Sequence, residues 1–186
     1  MDDHKIIDLF WERNESAISV TADKYGKYCH TIAYNILFNR LDVEECVNDT
    51  YLGAWNGIPP QKPSNLTAFL GKITRNLAIN RYKYHSAVKR GSGQIEIVLS
   101  EIENCIPNIK GIEETLDEAH LVVVINRFLH AQNKTKRNVF VQRYWYMYPI
   151  CEIATMHNMS ESKVKSILYR MRIELKQNLE KEGIVL

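Results

Sequence analysis

Long hydrophobic runs are absent from this sequence. No apolar stretch approaches the roughly 20 residues that a helix needs to span a bilayer. The first residues, MDDHKIIDLFWERNES, are polar and acidic, so they do not resemble a secretory signal. We therefore expect a chain without membrane insertion.

Cysteine is also scarce, and its four positions are far apart: Cys29, Cys46, Cys105 and Cys151. No C-x-x-C pair is present, which argues against a zinc or dithiol site. We expect four buried thiols in a reducing compartment and therefore a cytoplasmic protein.

Familiar catalytic arrangements are missing as well. The sequence contains no Ser-His-Asp set, phosphate-binding loop or H-E-x-x-H motif, and its six histidines are scattered. We therefore expect no enzyme, no metal and no cofactor. The classes that stay open are a nucleic-acid-binding protein and a helical protein–protein adaptor.

Glycine and proline are few, at 8 and 5 residues, and no alternating strand pattern with a hairpin turn is visible. Apolar residues instead recur at helical spacing, which predicts an all-α fold of two small helical domains joined by a flexible linker.

The predicted first domain covers residues 1–90. Residues 6–38 form one or two amphipathic helices, and a further helix starts with Asp42 as N-cap and Glu45 as its capping-box partner. The stretch NGIPPQKPSN then interrupts the helical pattern, and a long helix follows from about Leu66.

The predicted linker, residues 91–117, begins with a Gly-Ser-Gly segment and is acidic, with room for one short helix or turn. The predicted second domain, residues 118–186, is helical throughout. Its helices are expected near 118–131, 135–146, 150–157 and 161–181.

The charges are divided into blocks that the net charge of +2 conceals. Residues 50–95 contain seven bases and no acid, residues 96–118 contain seven acids and one base, and residues 119–151 again contain no acid. Two basic segments separated by an acidic one favour two contacts with a polyanion.

The segment PICEIATMHNMSESKVKSILYRMR, residues 149–172, is typical of a helix-turn-helix. Ala154 is small where the helices should cross, Asn158 tolerates left-handed backbone angles, and Ser160 suits the N-cap of the second helix. The outward face of that helix carries residue types that contact bases and phosphates in a major groove. These candidate residues are Ser160, Glu161, Ser162, Lys163, Lys165, Ser166, Tyr169 and Arg170.

A second contact with DNA is expected along the helix at 66–90, which has no acid and interleaves bases with Tyr82, Tyr84 and His85. Aromatic rings beside cations suit unpaired nucleotides. We expect Tyr84 at least to lie partly in the core.

Three segments together resemble a bacterial RNA polymerase sigma factor of the extracytoplasmic-function type, in the sigma-70 family. DVEECVNDTYLGAW is similar to the family's clamp-binding helix, with Gly53 in place of the usual helix former. FLGKITRNLAINRYKYHSAVKR is similar to the segment that recognises the minus-ten element. VFVQRYWYMYPICEIATMHNMSESKVKSILYRMR is similar to the C-terminal helix-turn-helix.

The resemblance implies core RNA polymerase (the β′ clamp helices and the β flap) and promoter DNA as partners, an anti-sigma protein as a further one, and a linker that runs toward the RNA exit path. It implies that polymerase is bound by Asp42, Glu44, Glu45, Asn48 and Asp49. The minus-ten element would be opened and bound by Lys62, Asn65, Phe69, Lys72, Arg75, Asn76, Asn80, Arg81 and Lys83. The helix-turn-helix residues named above would read the minus-thirty-five element.

A dimeric helix-turn-helix regulator is the main alternative. It would need a ligand-binding or phosphoacceptor domain at the N-terminus, which the helical first domain does not resemble.

Overall fold

The computed structural model describes residues 1–86, 94–103 and 116–184. Every regular element within these ranges is a helix, which confirms the predicted all-α fold. The chain divides into two compact units, Met1–Gly91 and Ser92–Leu186.

The first unit consists of four described helices: α1 (Asp3–Trp11), α2 (Ser16–Leu37), α3 (Arg40–Gly57) and α4 (Leu66–Ser86). The helical pattern at 6–38 therefore corresponds to two helices, which are separated at Arg13, where the backbone φ is 54°. Helices α2, α3 and α4 pack against one another, and α1 packs against α2.

Helix α3 begins earlier than the sequence pattern predicts. Its N-cap is Asn39, whose side chain accepts hydrogen bonds from the backbone N–H groups of Leu41 and Asp42. The predicted capping box of Asp42 and Glu45 is therefore wrong, because Asp42 already lies in the first helical turn. Asn is as good an N-cap as Asp, so composition alone does not choose between the two starts.

A small polar layer lies inside the first unit where α3 meets α4. The hydroxyl oxygens of the buried Thr50 and Thr74 are 3.1 Å apart, and each hydroxyl bonds to a carbonyl one turn earlier in its own helix. Close to this layer, a Cβ on Gly53 would lie 3.0 Å from Cγ2 of Ile73. Gly53, which departs from the family pattern, therefore allows α3 and α4 to approach closely.

The second unit contains the described helices α5 (Gln94–Glu103), α6 (Leu116–Ala131), α7 (Lys134–Tyr144), α8 (Ile150–Met156) and α9 (Glu161–Lys181). The last four follow the predicted helices within about three residues. Helix α5 lies in the stretch predicted as a linker and packs on α7, with Ile95 and Val98 buried.

Helices α8 and α9 form the predicted helix-turn-helix. The φ of Asn158 is 50°, Ser160 is the N-cap and accepts a hydrogen bond from the N–H of Lys163, and Ala154 is buried. On the inner face of α9, Val164 and Leu168 are fully buried. Each constrained position of the motif thus has the conformation that its residue type predicts.

A buried ion pair attaches α5 to the rest of the second unit. The guanidinium of Arg143, with a side chain only 3% exposed, donates from Nε and Nη2 to the two carboxylate oxygens of Glu101 at 3.4 Å. The hydroxyl of Tyr144 donates to the same carboxylate at 3.1 Å, and Arg172 lies 3.5 Å from it. Burial of Arg143 therefore depends on an anion supplied by α5.

Glu101→Ala is expected to destabilise the second unit by about 2–3 kcal/mol, because Arg143 would lose the counter-ion for a buried charge. Amide hydrogen exchange should become faster in α7 and α9 and stay unchanged in α2. Ser100→Ala, an exposed change on the same helix, is the control. Equal exchange in the two variants would contradict the expectation.

Asn158→Val is expected to destabilise the helix-turn-helix by about 1–2 kcal/mol, because a β-branched residue is strained at positive φ. Asn158→Gly should be neutral or slightly stabilising, since glycine adopts this conformation freely. Thermal unfolding of both variants checks the difference, and an equal loss in both would show that the Asn158 side chain, not its backbone angle, matters.

Candidate functional site

The outward face of α9 presents the whole set of residues predicted to read DNA. Ser160, Glu161, Ser162, Lys163, Lys165, Ser166, Tyr169 and Arg170 are all exposed. The side chain of Tyr169 is 59% exposed. Such exposure of a large aromatic ring is informative, because aromatic side chains are on average well buried. Because α9 packs on the core through its opposite face, this entire surface is open to solvent and available for a ligand.

Contacts along this face are local and weak. Lys165 lies 3.8 Å from Glu161, one turn earlier, and both side chains are more than half exposed. The hydroxyl of Ser166 donates to the carbonyl of Ser162. Ion pairs of this kind contribute little and exchange easily with a phosphate.

Arg172, the next cation of α9 after the predicted set, is held inside the second unit. Its Nη1 donates to the Tyr144 hydroxyl at 2.6 Å, and its side chain is 19% exposed. Burial raises the pKa of that tyrosine well above its usual value. Arg172 is therefore a structural cation rather than part of the exposed surface.

A second polar surface follows α4. Lys72, Asn76 and Asn80 are exposed and recur every four residues, so they share one face of the helix. The other exposed members of the predicted minus-ten set are Lys62, Asn65 and Lys83. At the start of the helix, Asn65 accepts a hydrogen bond from the N–H of Ala68 and so acts as a cap.

Two predicted minus-ten residues lie largely inside the first unit. Phe69 packs against the core, and its ring lies 3.2 Å from the position of a Cβ on Gly57. The Nε of Arg75 is buried without a hydrogen-bond partner, and burial lowers the pKa of that guanidinium. Tyr84, expected partly in the core, is 75% exposed, so that prediction is wrong.

The acidic residues of α3 form a third surface. Glu44, Glu45 and Asn48 are exposed, while the side chains of Asp42 and Asp49 are 28% and 45% exposed. Two leucines that the sequence reasoning did not select, Leu41 and Leu52, are 76% and 55% exposed on the same helix. Both leucines lie outside the apolar stripe of the helix, and this position could have identified them as exposed apolar residues.

Arg81, predicted to contact the minus-ten element, lies among these acids. Its Nη2 is 2.7 Å from Glu45 and 3.7 Å from Asp49, and its Nη1 is 3.8 Å from the carboxylate of Asp42. The hydrogen bond from Arg81 lowers the pKa of Glu45. These groups line a cavity of about 430 Å³ together with Tyr84 and His85.

The cysteines differ partly from the expectation. Cys29 and Cys46 are buried, and desolvation raises both thiol pKa values, to about 11 for Cys46. Cys151 is exposed, so the prediction that it is buried is wrong; it lies on the outer side of the short helix α8. Cys105 is outside the described residues.

Among the described residues, no group of three or more His, Cys, Asp or Glu side chains is arranged to hold a metal ion. No helix in the same ranges is long and apolar enough to span a bilayer.

Two family models match the chain, one in each unit. The model for Sigma-70 region 2 matches residues 22–88, and the model for Sigma-70, region 4 matches residues 128–177. The first segment contains the surfaces on α3 and α4, and the second contains the helix-turn-helix. No match to the chain was found among curated proteins.

One solved structure, that of CnrH in complex with the cytosolic domain of CnrY, is similar to the chain at 18% identity and a TM-score of 0.44. The similarity covers 96% of this chain and 97% of that chain. Since both identity and TM-score are low, the assignment rests on the two family models and on the helix-turn-helix geometry. The chain belongs to the sigma-70 family and is a sigma factor, a protein that binds RNA polymerase and directs it to promoters.

Proposed function

We propose that this sigma factor is of the extracytoplasmic-function type and divides its work among the three surfaces described above. The observation that carries the proposal is the order and spacing of the matches: region 2 is followed directly by region 4, with residues 89–127 between them. The chain acts by binding promoter DNA and core polymerase, with no catalytic role and no cofactor. Because core polymerase works in the cytoplasm, we propose that location for this chain.

The exposed face of α9 binds the minus-thirty-five element as duplex DNA. Lys163, Lys165 and Arg170 supply cations for phosphates and donors for base edges. Tyr169 adds an exposed ring beside them. Each base contact would contribute about 1–3 kcal/mol of discrimination, and each phosphate contact would make the affinity more dependent on salt.

The exposed stripe of α4 engages the minus-ten element. Lys72 and Lys83 hold the backbone, while the amides of Asn76 and Asn80 donate to and accept from unpaired bases. Extruding a base from the duplex costs a few kcal/mol, so these contacts must be made only in the opened state. Phe69 and Arg75 support the helix from its inner side, which is consistent with their partial burial.

The surface on α3 binds the β′ clamp helices of core polymerase. Glu44, Glu45 and Asn48 are exposed between Leu41 and Leu52, so the surface combines acidic and apolar groups. A basic partner helix with apolar residues at matching positions would fit it. Binding of this chain to the β flap and to an anti-sigma protein is a prediction from the family resemblance.

A dimeric regulator would leave the region 2 match without a role, since its N-terminal domain would bind a ligand or accept a phosphate. Run-off transcription with core polymerase tests the function directly. Transcripts from promoter fragments should appear only when the chain is added. Dimeric footprints on duplex DNA without polymerase would instead favour the regulator.

Lys165→Ala together with Arg170→Ala is expected to reduce promoter-dependent transcription about tenfold or more, because two exposed cations of the reading face are lost. Affinity for core polymerase should stay within twofold. Lys176→Ala removes another exposed cation of α9, six residues beyond Arg170 and outside the predicted set, and as the control it should leave transcription unchanged. If polymerase binding falls in the double variant as well, the separation of roles is incorrect.

Glu44→Lys together with Asp49→Lys is expected to weaken core polymerase binding about tenfold or more, because the reversed charges would repel a basic partner. Equilibrium titration of labelled chain with core polymerase measures the effect. Asp23→Lys changes an exposed acid on α2 and serves as the control. Equal affinity of the double variant and the control for core polymerase would show that the acidic surface is not part of the interface.

A further inference from the structure

Arg81 is the predicted DNA-binding residue whose position least fits that role. Only 20% of its side chain is exposed, and its guanidinium points from α4 toward α3 rather than along the exposed stripe of α4. Besides the carboxylates, its Nη1 donates to the backbone carbonyl of Asp42 at 3.3 Å. A phosphate at this position would have to compete with the three carboxylates that surround the guanidinium.

The carboxylates that surround Arg81 would repel one another without it. Asp42, Glu45 and Asp49 are three and four residues apart, so all three project from one side of α3. Like charges at this spacing destabilise a helix face and spread the side chains apart. The planar fork of arginine offers donors in several directions, which a lysine ammonium at the end of a flexible stem does not reproduce.

The pairing leaves the outer side of the acids free. The side chains of Glu45 and Asp49 are 64% and 45% exposed while they are in contact with Arg81. Carboxylate oxygens accept several hydrogen bonds, so each acid can bind Arg81 and a second cation at the same time. The imidazole Nε2 of His85, a side chain that is 57% exposed, lies 3.8 Å from the carboxylate of Asp42.

We propose that Arg81 is a positioning residue for polymerase binding: it holds Glu45 and Asp49 in the arrangement that a basic helix of core polymerase recognises. The inference rests on the proposed polymerase-binding role of α3. It assigns Arg81 to the polymerase-facing surface and leaves the minus-ten contacts to the exposed stripe of α4. Arg81 acts only through the acids and does not itself contact the partner.

The test is equilibrium binding of the full chain to core polymerase in the absence of DNA, at a temperature where circular dichroism shows every variant folded. Arg81→Ala should raise the Kd about fivefold, the size expected for loss of a partly exposed ion pair. Arg81→Lys should give an intermediate Kd, because the charge is kept and the fork is lost. Lys27→Ala removes one exposed positive charge from the same unit and is the control.

A double-mutant cycle distinguishes positioning from a general loss of structure. Glu45→Gln should raise the Kd strongly in the native background and much less in the Arg81→Ala background, because Arg81 acts through Glu45. Additive effects of the two changes would overturn the proposal. Tighter polymerase binding by Arg81→Ala would overturn it too, since Arg81 would then compete with the partner for the acids.

Other outcomes separate this inference from the proposed function. If the native chain binds core polymerase and Arg81→Ala binds equally well but loses promoter opening, Arg81 is a DNA contact and the inference alone fails. If the native chain shows no binding to core polymerase, both the proposed function and the inference fail.

Discussion

Packing of α4 between α2 and α3 determines how the first unit presents its functional groups. One side of α4 is buried around Leu70, Thr74 and Ala78, and this burial fixes the rotation of the helix about its axis. The opposite side must then face solvent, which is where Lys72, Asn76 and Asn80 lie. Arg81 lies at the boundary with α3, where a long side chain reaches the neighbouring helix. The rotation of α4 about its axis thus separates its exposed polar residues from Arg81, which is paired with the acids of α3.

The second unit depends on a comparable constraint. Val164 and Leu168 anchor α9 in the core, and the left-handed backbone at Asn158 sets the angle at which the helix starts. Because the angle and the rotation are both fixed, the backbone positions of the residues proposed to read DNA are set before any DNA is present. Little backbone entropy should then be lost on binding, although the exposed Lys and Arg side chains would still have to be ordered.

Sequence patterns were sufficient for the features that depend on local chemistry. Helical periodicity identified α4 and α6 to α9, and the turn chemistry of Asn158 and Ser160 located the helix-turn-helix. The patterns failed where a contact joins residues far apart in sequence. Pairing of Arg81 with Glu45 crosses 36 positions and that of Arg143 with Glu101 crosses 42, and nothing local to an arginine indicates which acid it meets. The predicted burial of Tyr84 is wrong because helical spacing does not reveal where the neighbouring helix ends.

The buried pair of Arg143 and Glu101 has a practical consequence for dividing the protein into fragments. A piece that starts at residue 118, the boundary suggested by sequence, would contain a desolvated guanidinium and lack the carboxylate that neutralises it. Such a fragment would also expose the apolar groups that Ile95 and Val98 cover. A fragment that keeps the second unit intact should therefore include α5 and begin before Gln94. The stretch that composition marks as a linker is thus part of the unit that contains the helix-turn-helix.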